Sequence, residues 1–138
     1  MAQTQTVLDQ GITELVKLAT GVAATGFTKI VVLNMATACA AVVGSTFADP
    51  CDTATHHVDA GLSIAAVATV AQDTVNTAGD TISAHHVFTA SDTRNAAGLH
   101  LCNTDGDVSY LECCFNAVLA MENTDTLTVT VHSTINQV

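Results

Sequence analysis

Basic residues are scarce in this chain, and their scarcity limits its binding partners. The 138 residues include three basic side chains (Lys17, Lys29 and Arg94) against 13 acidic ones, for a formal net charge of −10. Three basic side chains cannot neutralise a row of phosphates, and we therefore expect no direct nucleic-acid binding. Anionic membrane surfaces are disfavoured for the same reason. The acidic excess indicates either a mildly acidic, solvated surface or adaptation to high salt, which screens self-repulsion.

Aromatic residues and long apolar runs are also lacking. There is no tryptophan and one tyrosine, Tyr110, whereas sugar-binding clefts usually recruit exposed aromatic side chains. No apolar stretch approaches the roughly 18 residues of a membrane span. Residues 1–6 lack the basic start and apolar run of a secretory signal. We therefore expect a protein made in the cytoplasm of the cell that produces it, without a membrane partner.

Small and β-branched residues are abundant instead, and the last strand shows their pattern most clearly. In residues 126–135, Leu127, Val129, Val131 and Ile135 alternate with threonines and His132. A period of two predicts a strand with one buried face.

The same reasoning divides the rest of the chain into short strands. A helix is predicted over residues 5–19, with Thr4 or Thr6 as N-cap and Gly21 as its end. Turns are predicted at Gly79-Asp80, at Asp105-Gly106 and over 122–125, with a bulge near Asn116. Residues 35–46 fit a helix or a strand, and 47–59 a loop. Further strands are predicted over 28–34, 62–76, 81–90, 98–103, 108–115 and 117–121.

Short strands joined by hairpin turns predict a mainly β fold. We expect an antiparallel β-sandwich or jelly-roll-like domain with a short N-terminal helix. Residues 1–138 would form a single domain, in which 1–20 is a helical segment or arm and 27–138 is the β-domain.

The five cysteines allow two interpretations, since an odd number leaves at least one thiol free or paired between chains. They are Cys39, Cys51, Cys102, Cys113 and Cys114. One interpretation is that they are buried small hydrophobic residues. The other adds a Cys39–Cys51 disulfide under oxidising conditions.

Histidines are the other candidate ligands, in the pairs His56-His57 and His85-His86 and singly at His100 and His132. Adjacent histidines on a strand point to opposite faces, and no Cys-x-x-Cys occurs, so no metal site is predicted. A metal or redox protein using these residues is kept as an alternative. No motif frames a nucleophile or cradles a phosphate, so we predict no catalytic residue, no cofactor and no enzyme activity.

From about residue 61 onward the layout resembles small β-rich virion structural proteins of tailed phages and tailed archaeal viruses. The segments that carry this resemblance are a strand after Gly61-Leu62, the Gly79-Asp80 turn before His-Val-Phe-Thr-Ala, Gly-Leu-His-Leu-Cys-Asn before Asp105-Gly106, a strand ending at Phe115, and Asp-Thr-Leu-Thr-Val-Thr-Val over 125–131. The resemblance implies a non-enzymatic component of the virion surface.

The expected function is therefore a capsid decoration or cement protein that stabilises the particle. Its partners would be further copies of itself, with a trimer favoured, and the major capsid protein or other virion proteins. The helix over 7–18 or the apolar stretch 36–43 would lie at the contact. The alternatives are a tail or fibre component and a receptor- or carbohydrate-binding module.

Overall fold

Antiparallel strands dominate the computed structural model, which describes residues 3–34, 36–37, 39, 62, 66–73, 79–104 and 108–135. Within these residues the larger sheet has the strand order β1-β7-β6-β2-β3, and the smaller sheet has the order β4-β5-β8. The predicted mainly β, antiparallel fold with one short helix is confirmed, and the jelly-roll connectivity stays a prediction. The elements are β1 (Gln3–Val7), α1 (Asp9–Thr20), β2 (Phe27–Leu33), β3 (Ala66–Val67), β4 (Thr69–Asp73), β5 (Thr81–Thr89), β6 (Arg94–Asn103), β7 (Ser109–Met121) and β8 (Thr126–Thr134).

The main core lies between the two sheets and is built from alternate residues of facing strands. The larger sheet contributes Ile30 and Leu101, and the smaller sheet contributes Phe88 and Val129, all in one buried cluster. Alternation of side chains along each strand brings these residues to the inner faces. The prediction for β8 is confirmed for the centre of the strand, where Val129 and Val131 are buried. Ile135, which follows the strand, is exposed.

The larger sheet is buried on its outer face as well. Val31, His100, Cys102 and Cys114 point away from the main core, yet each is at most 3% exposed. Burial on both faces explains why the sequence of β2 is a nearly continuous apolar run.

The predicted helix begins too early. Residues Gln3–Val7 form β1, which pairs antiparallel with β7, and the helix starts only at Asp9. The N-cap is Leu8, without a side-chain cap, and its N–H donates to the Tyr110 carbonyl oxygen at 2.9 Å. Neither Thr4 nor Thr6 is the cap, because pairing with β7 holds both in the strand. The predicted end is confirmed, since Gly21 takes the left-handed conformation at the C-cap.

The helix packs against β7 through a small residue. Its buried residues are Gly11 and Glu14, and Leu15 packs against the main core, while Ile12 and Val16 are exposed. A side chain at Gly11 would collide with the backbone of Tyr110, so the helix approaches β7 through glycine. The Glu14 carboxylate is satisfied there, accepting hydrogen bonds from Lys17 Nζ and a backbone N–H.

A single strand over 62–76 is wrong for the described part of that range. The chain forms β3 in the larger sheet and β4 in the smaller one, and it changes sheets at Ala68. Ala68 is buried and its N–H donates to the Thr28 carbonyl oxygen at 2.7 Å. Such corners are a common way for one chain to serve both layers of a sandwich.

The second half follows the prediction more closely. Gly79 has a positive φ before β5, which pairs antiparallel with β4. β6 begins at Arg94, earlier than predicted, because residues 94–96 pair with the end of β7. The bulge near Asn116 is confirmed, since the β6–β7 register shifts between Ala96 and Gly98, opposite residues 115–118. The predicted loop over 47–59, most of 35–46 and the Asp105-Gly106 turn lie outside the described residues.

Candidate functional site

The outer face of the larger sheet carries a buried cluster of groups that could perform chemistry. In the β6–β7 ladder, His100 lies opposite Glu112, and Gly98 lies opposite Cys114. Residues two apart on a strand share a face, so the side chains of His100, Glu112 and Cys114 project to the same side of the sheet. Glu112 is only 7% exposed, and acidic side chains are rarely so buried unless a partner lies beside them.

His100 is that partner. Its Nε2 lies 3.5 Å from Glu112 Oε1, and its Nδ1 lies 2.8 Å from Ser109 Oγ. Ser109 donates its hydroxyl proton to the Leu111 carbonyl oxygen at 3.2 Å, so its Oγ accepts from Nδ1–H. This hydrogen-bond pattern assigns a proton to Nδ1. Nε2 is the ring nitrogen that faces the Glu112 carboxylate.

A disulfide between Cys39 and Cys114 covers the neighbouring part of this face. The Sγ of Cys39 lies 3.4 Å from the Ala97 carbonyl oxygen. A Cβ at Gly98 would lie 2.9 Å from the same sulfur and would meet the backbone of Cys113. Glycine at position 98 therefore makes room for the disulfide.

The described cysteines include both disulfide-bonded residues and a buried free thiol, but the disulfide partners differ from the predicted ones. The expected Cys39–Cys51 bridge is wrong, because Cys39 is bonded to Cys114. Cys102 is buried and is also disulfide-bonded. Cys113 is a free, buried thiol in the main core, and burial raises its pKa. It behaves as the small hydrophobic residue expected from the sequence.

The structure does not gather the described histidines into one site. His85 is exposed, whereas His86 contacts the Phe88 ring edge-on, with ring centroids 4.6 Å apart. On the outer face of the smaller sheet, His132 Nδ1 lies 3.9 Å from Asp73 Oδ2, with both side chains about half exposed. His56 and His57 lie outside the described residues. Glu112 belongs to no sequence motif, and its only signal in the sequence is its approximate position opposite His100 across a predicted hairpin.

Two further surfaces are suited to contact with other chains. The helical segment exposes large aliphatic side chains, with Ile12 49%, Val16 56% and Val22 56% accessible. Within the described residues β8 pairs only with β5, so its other edge is open. Beside this edge a groove of about 290 Å³ opens between the sheets, lined by Leu99, Phe115, Leu119, Leu127, Thr128, Val129 and Thr130.

Comparison with known proteins found no matching family model, no matching curated protein and no matching solved structure. Among the described residues, no helix has the length and apolarity to cross a membrane.

Proposed function

We propose that the protein is a non-enzymatic structural component of a virion, a capsid decoration or cement protein that assembles as a homotrimer and stabilises the particle. The observation that carries the proposal is the exposed aliphatic row of the helical segment. Ile12 and Val16 are one helical turn apart and about half exposed, and Val22 follows just beyond the helix. Grouped exposed aliphatic residues usually mark an interface.

The second edge of β8 supports assembly independently, because no strand of the described residues pairs with it. Gln5 Nε2 donates a hydrogen bond to the His132 carbonyl oxygen of this strand. The strand is nine residues long and contains no proline, lysine or acidic residue. Exposed edges usually carry such residues to prevent unwanted pairing. An edge without them is suited to pairing with another chain, and closed symmetric oligomers are the common arrangement.

Disulfide bonding supports a location outside a reducing cytoplasm. Cys39 and Cys114 are bonded, and Cys102 is disulfide-bonded too. Disulfides persist in oxidising surroundings, of which virion surfaces are one. The net charge of −10 keeps free subunits soluble. Repeated attachment across a capsid lattice then turns weak single contacts into firm binding.

Light scattering on the full-length protein tests the assembly. The expected particle has three times the 14.1 kDa mass of the chain. Changing Ile12 and Val16 together to serine should shift the mass towards that of the monomer. Val87→Ser is the matched control, because Val87 is 48% exposed on the smaller sheet and should leave the assembly intact.

Co-sedimentation with particles of the encoding virus tests the location. Binding to capsids that lack tails supports decoration, and binding confined to isolated tails supports the tail or fibre alternative. A strictly monomeric protein without affinity for either would overturn the proposal. It would favour the receptor- or carbohydrate-binding module, which a glycan screen would then examine.

A further inference from the structure

We propose that the outer-face cluster is a zinc site that forms when the Cys39–Cys114 disulfide is reduced, with Cys39, Cys114 and Glu112 as ligands and His100 as the fourth. One potential ligand atom from each of the first three residues lies within 4.8 Å of the other two. Two of these residues are fixed on β7, and the pairing of His100 with Glu112 places the imidazole on the adjacent strand.

The spacing of neighbouring donors is compatible with a tetrahedral ion once the side chains move, and His100 has to approach the two sulfurs. Nitrogen and oxygen ligands at 2.0–2.1 Å from zinc are about 3.4 Å apart on a tetrahedron. His100 Nε2 and Glu112 Oε1 are 3.5 Å apart. Two thiolates at about 2.3 Å from zinc need roughly 3.8 Å between sulfurs. The cysteine Cα atoms, 5.4 Å apart, allow both sulfurs to separate to that distance and still face one ion.

The surroundings of His100 also suit a ligand. Ser109 Oγ accepts from Nδ1–H, which leaves Nε2 as the nitrogen that can direct a lone pair towards Glu112. Metal-bound histidines usually hold their tautomer through such a hydrogen bond on the other nitrogen. A cation between Nε2 and the carboxylate would attract both groups. Two thiolates with an imidazole and a carboxylate favour zinc over magnesium or calcium.

The redox step is a two-electron exchange. A phosphine reductant and one water convert the disulfide into two thiols, and the phosphine becomes its oxide. Zinc binding then displaces one proton from each thiol, giving two Zn–S bonds and two released protons. The oxidised protein lacks both thiolates, so its affinity for zinc should be low. The cluster would thus exchange a covalent crosslink for a metal crosslink at the same place.

Cobalt titration of the full-length protein tests the site, because tetrahedral cobalt–thiolate centres absorb visible light. The phosphine-reduced protein should bind one equivalent of Co²⁺, which Zn²⁺ displaces, and the oxidised protein should show no such band. Glu112→Gln and Cys114→Ser should each weaken binding at least tenfold. Glu112→Gln keeps the disulfide in the oxidised protein, so its fold can be checked there by circular dichroism.

Two matched controls separate this site from other thiols. Cys113→Ser changes the next residue on the same strand but the opposite face, and Cys102→Ser removes the other disulfide-bonded cysteine of the described residues. Both should bind cobalt within about twofold of the unchanged protein. Binding that survives in both Glu112→Gln and Cys114→Ser would overturn the proposal, as would no binding by the reduced protein. If reduction alone abolishes the β-sheet signal, zinc must restore it, and failure to do so also counts against the site.

Discussion

The disulfide between Cys39 and Cys114 joins residues 75 positions apart, with their Cα atoms at 5.4 Å. It ties the chain that follows β2 to the outer face of β7. Gly98 lies beneath it on β6, and the absence of a side chain there leaves room for the Cys39 sulfur. The covalent link and the β6–β7 ladder therefore hold the same region of the larger sheet.

Removing this link should destabilise the protein strongly. For a loop of this length, the loss of chain entropy predicts that changing Cys39 and Cys114 together to serine lowers the free energy of unfolding by about 4 kcal/mol. Urea unfolding under oxidising conditions measures the change. Thr20→Ser, an exposed substitution on the helix, is a control that should alter stability by less than about 0.5 kcal/mol. A double variant as stable as the unchanged protein would show that the disulfide contributes little.

The free thiol of Cys113 should depend on pH in a defined direction. Burial raises its pKa above the ordinary value of 9.0, because the thiolate loses hydration in the core. Above that ordinary value the unfolded chain releases the thiol proton while the folded chain retains it. This contribution to the free energy of unfolding is therefore intact below about pH 9 and is lost as the pH rises towards the folded pKa.

Alkylation measures the same property directly. Iodoacetamide at pH 8 should modify Cys113 slowly in the native protein and rapidly in urea, since only the thiolate reacts. Cys113→Ala supplies the baseline for both reactivity and pH-dependent stability. Rapid alkylation of the native thiol would contradict its burial.

The register of the β6–β7 hairpin shows where sequence reasoning stopped. A two-residue turn at Asp105-Gly106 would pair residue 104 with 107 and continue outward one residue at a time on each strand. The observed pairing of Cys102 with Ser109 follows this register. Beyond them the register shifts by one, so that His100 lies opposite Glu112 instead of Leu111. A one-residue shift exchanges the faces of a strand. The periodicity predicts both strands, but the shift that assembles the cluster has no clear signal in the residues themselves.

The N-terminal segment was mispredicted for a different reason. The apolar spacing over residues 7–18 correctly predicts a helix, but only part of its apolar face is buried. Leu15 packs against the main core, whereas Ile12 and Val16 are exposed. Helical periodicity assumes that the apolar stripe faces the protein's own core. Here Gly11 gives close approach to β7, and Ile12 and Val16 lie on the side that faces outward. If the proposed trimer forms, Ile12 and Val16 are buried between chains, and this part of the periodicity reports an interface.

The two faces of β8 should tolerate charge very differently. Val129 is 5% exposed in the main core, while the adjacent Thr128 points outward. Val129→Asp would bury an unpaired carboxylate and should cost about 3 to 5 kcal/mol, reducing the soluble yield. Thr128→Asp should cost less than about 1 kcal/mol. Urea unfolding of both variants decides the matter, and equal damage would mean that the strand is buried on both faces.

Salt should separate the two explanations of the acidic composition. If the net charge of −10 reflects adaptation to high salt, the melting temperature should rise steeply with molar NaCl. Between 0.1 M and 1 M the Debye length falls from about 10 to 3 Å, which screens repulsion between surface carboxylates. Changing the exposed Asp73 to Asn and Glu122 to Gln removes two negative charges and should make that rise shallower. If the melting temperatures of the unchanged protein and of the double variant both stay flat over this range, the acidic surface is an ordinary one whose charge serves solubility alone.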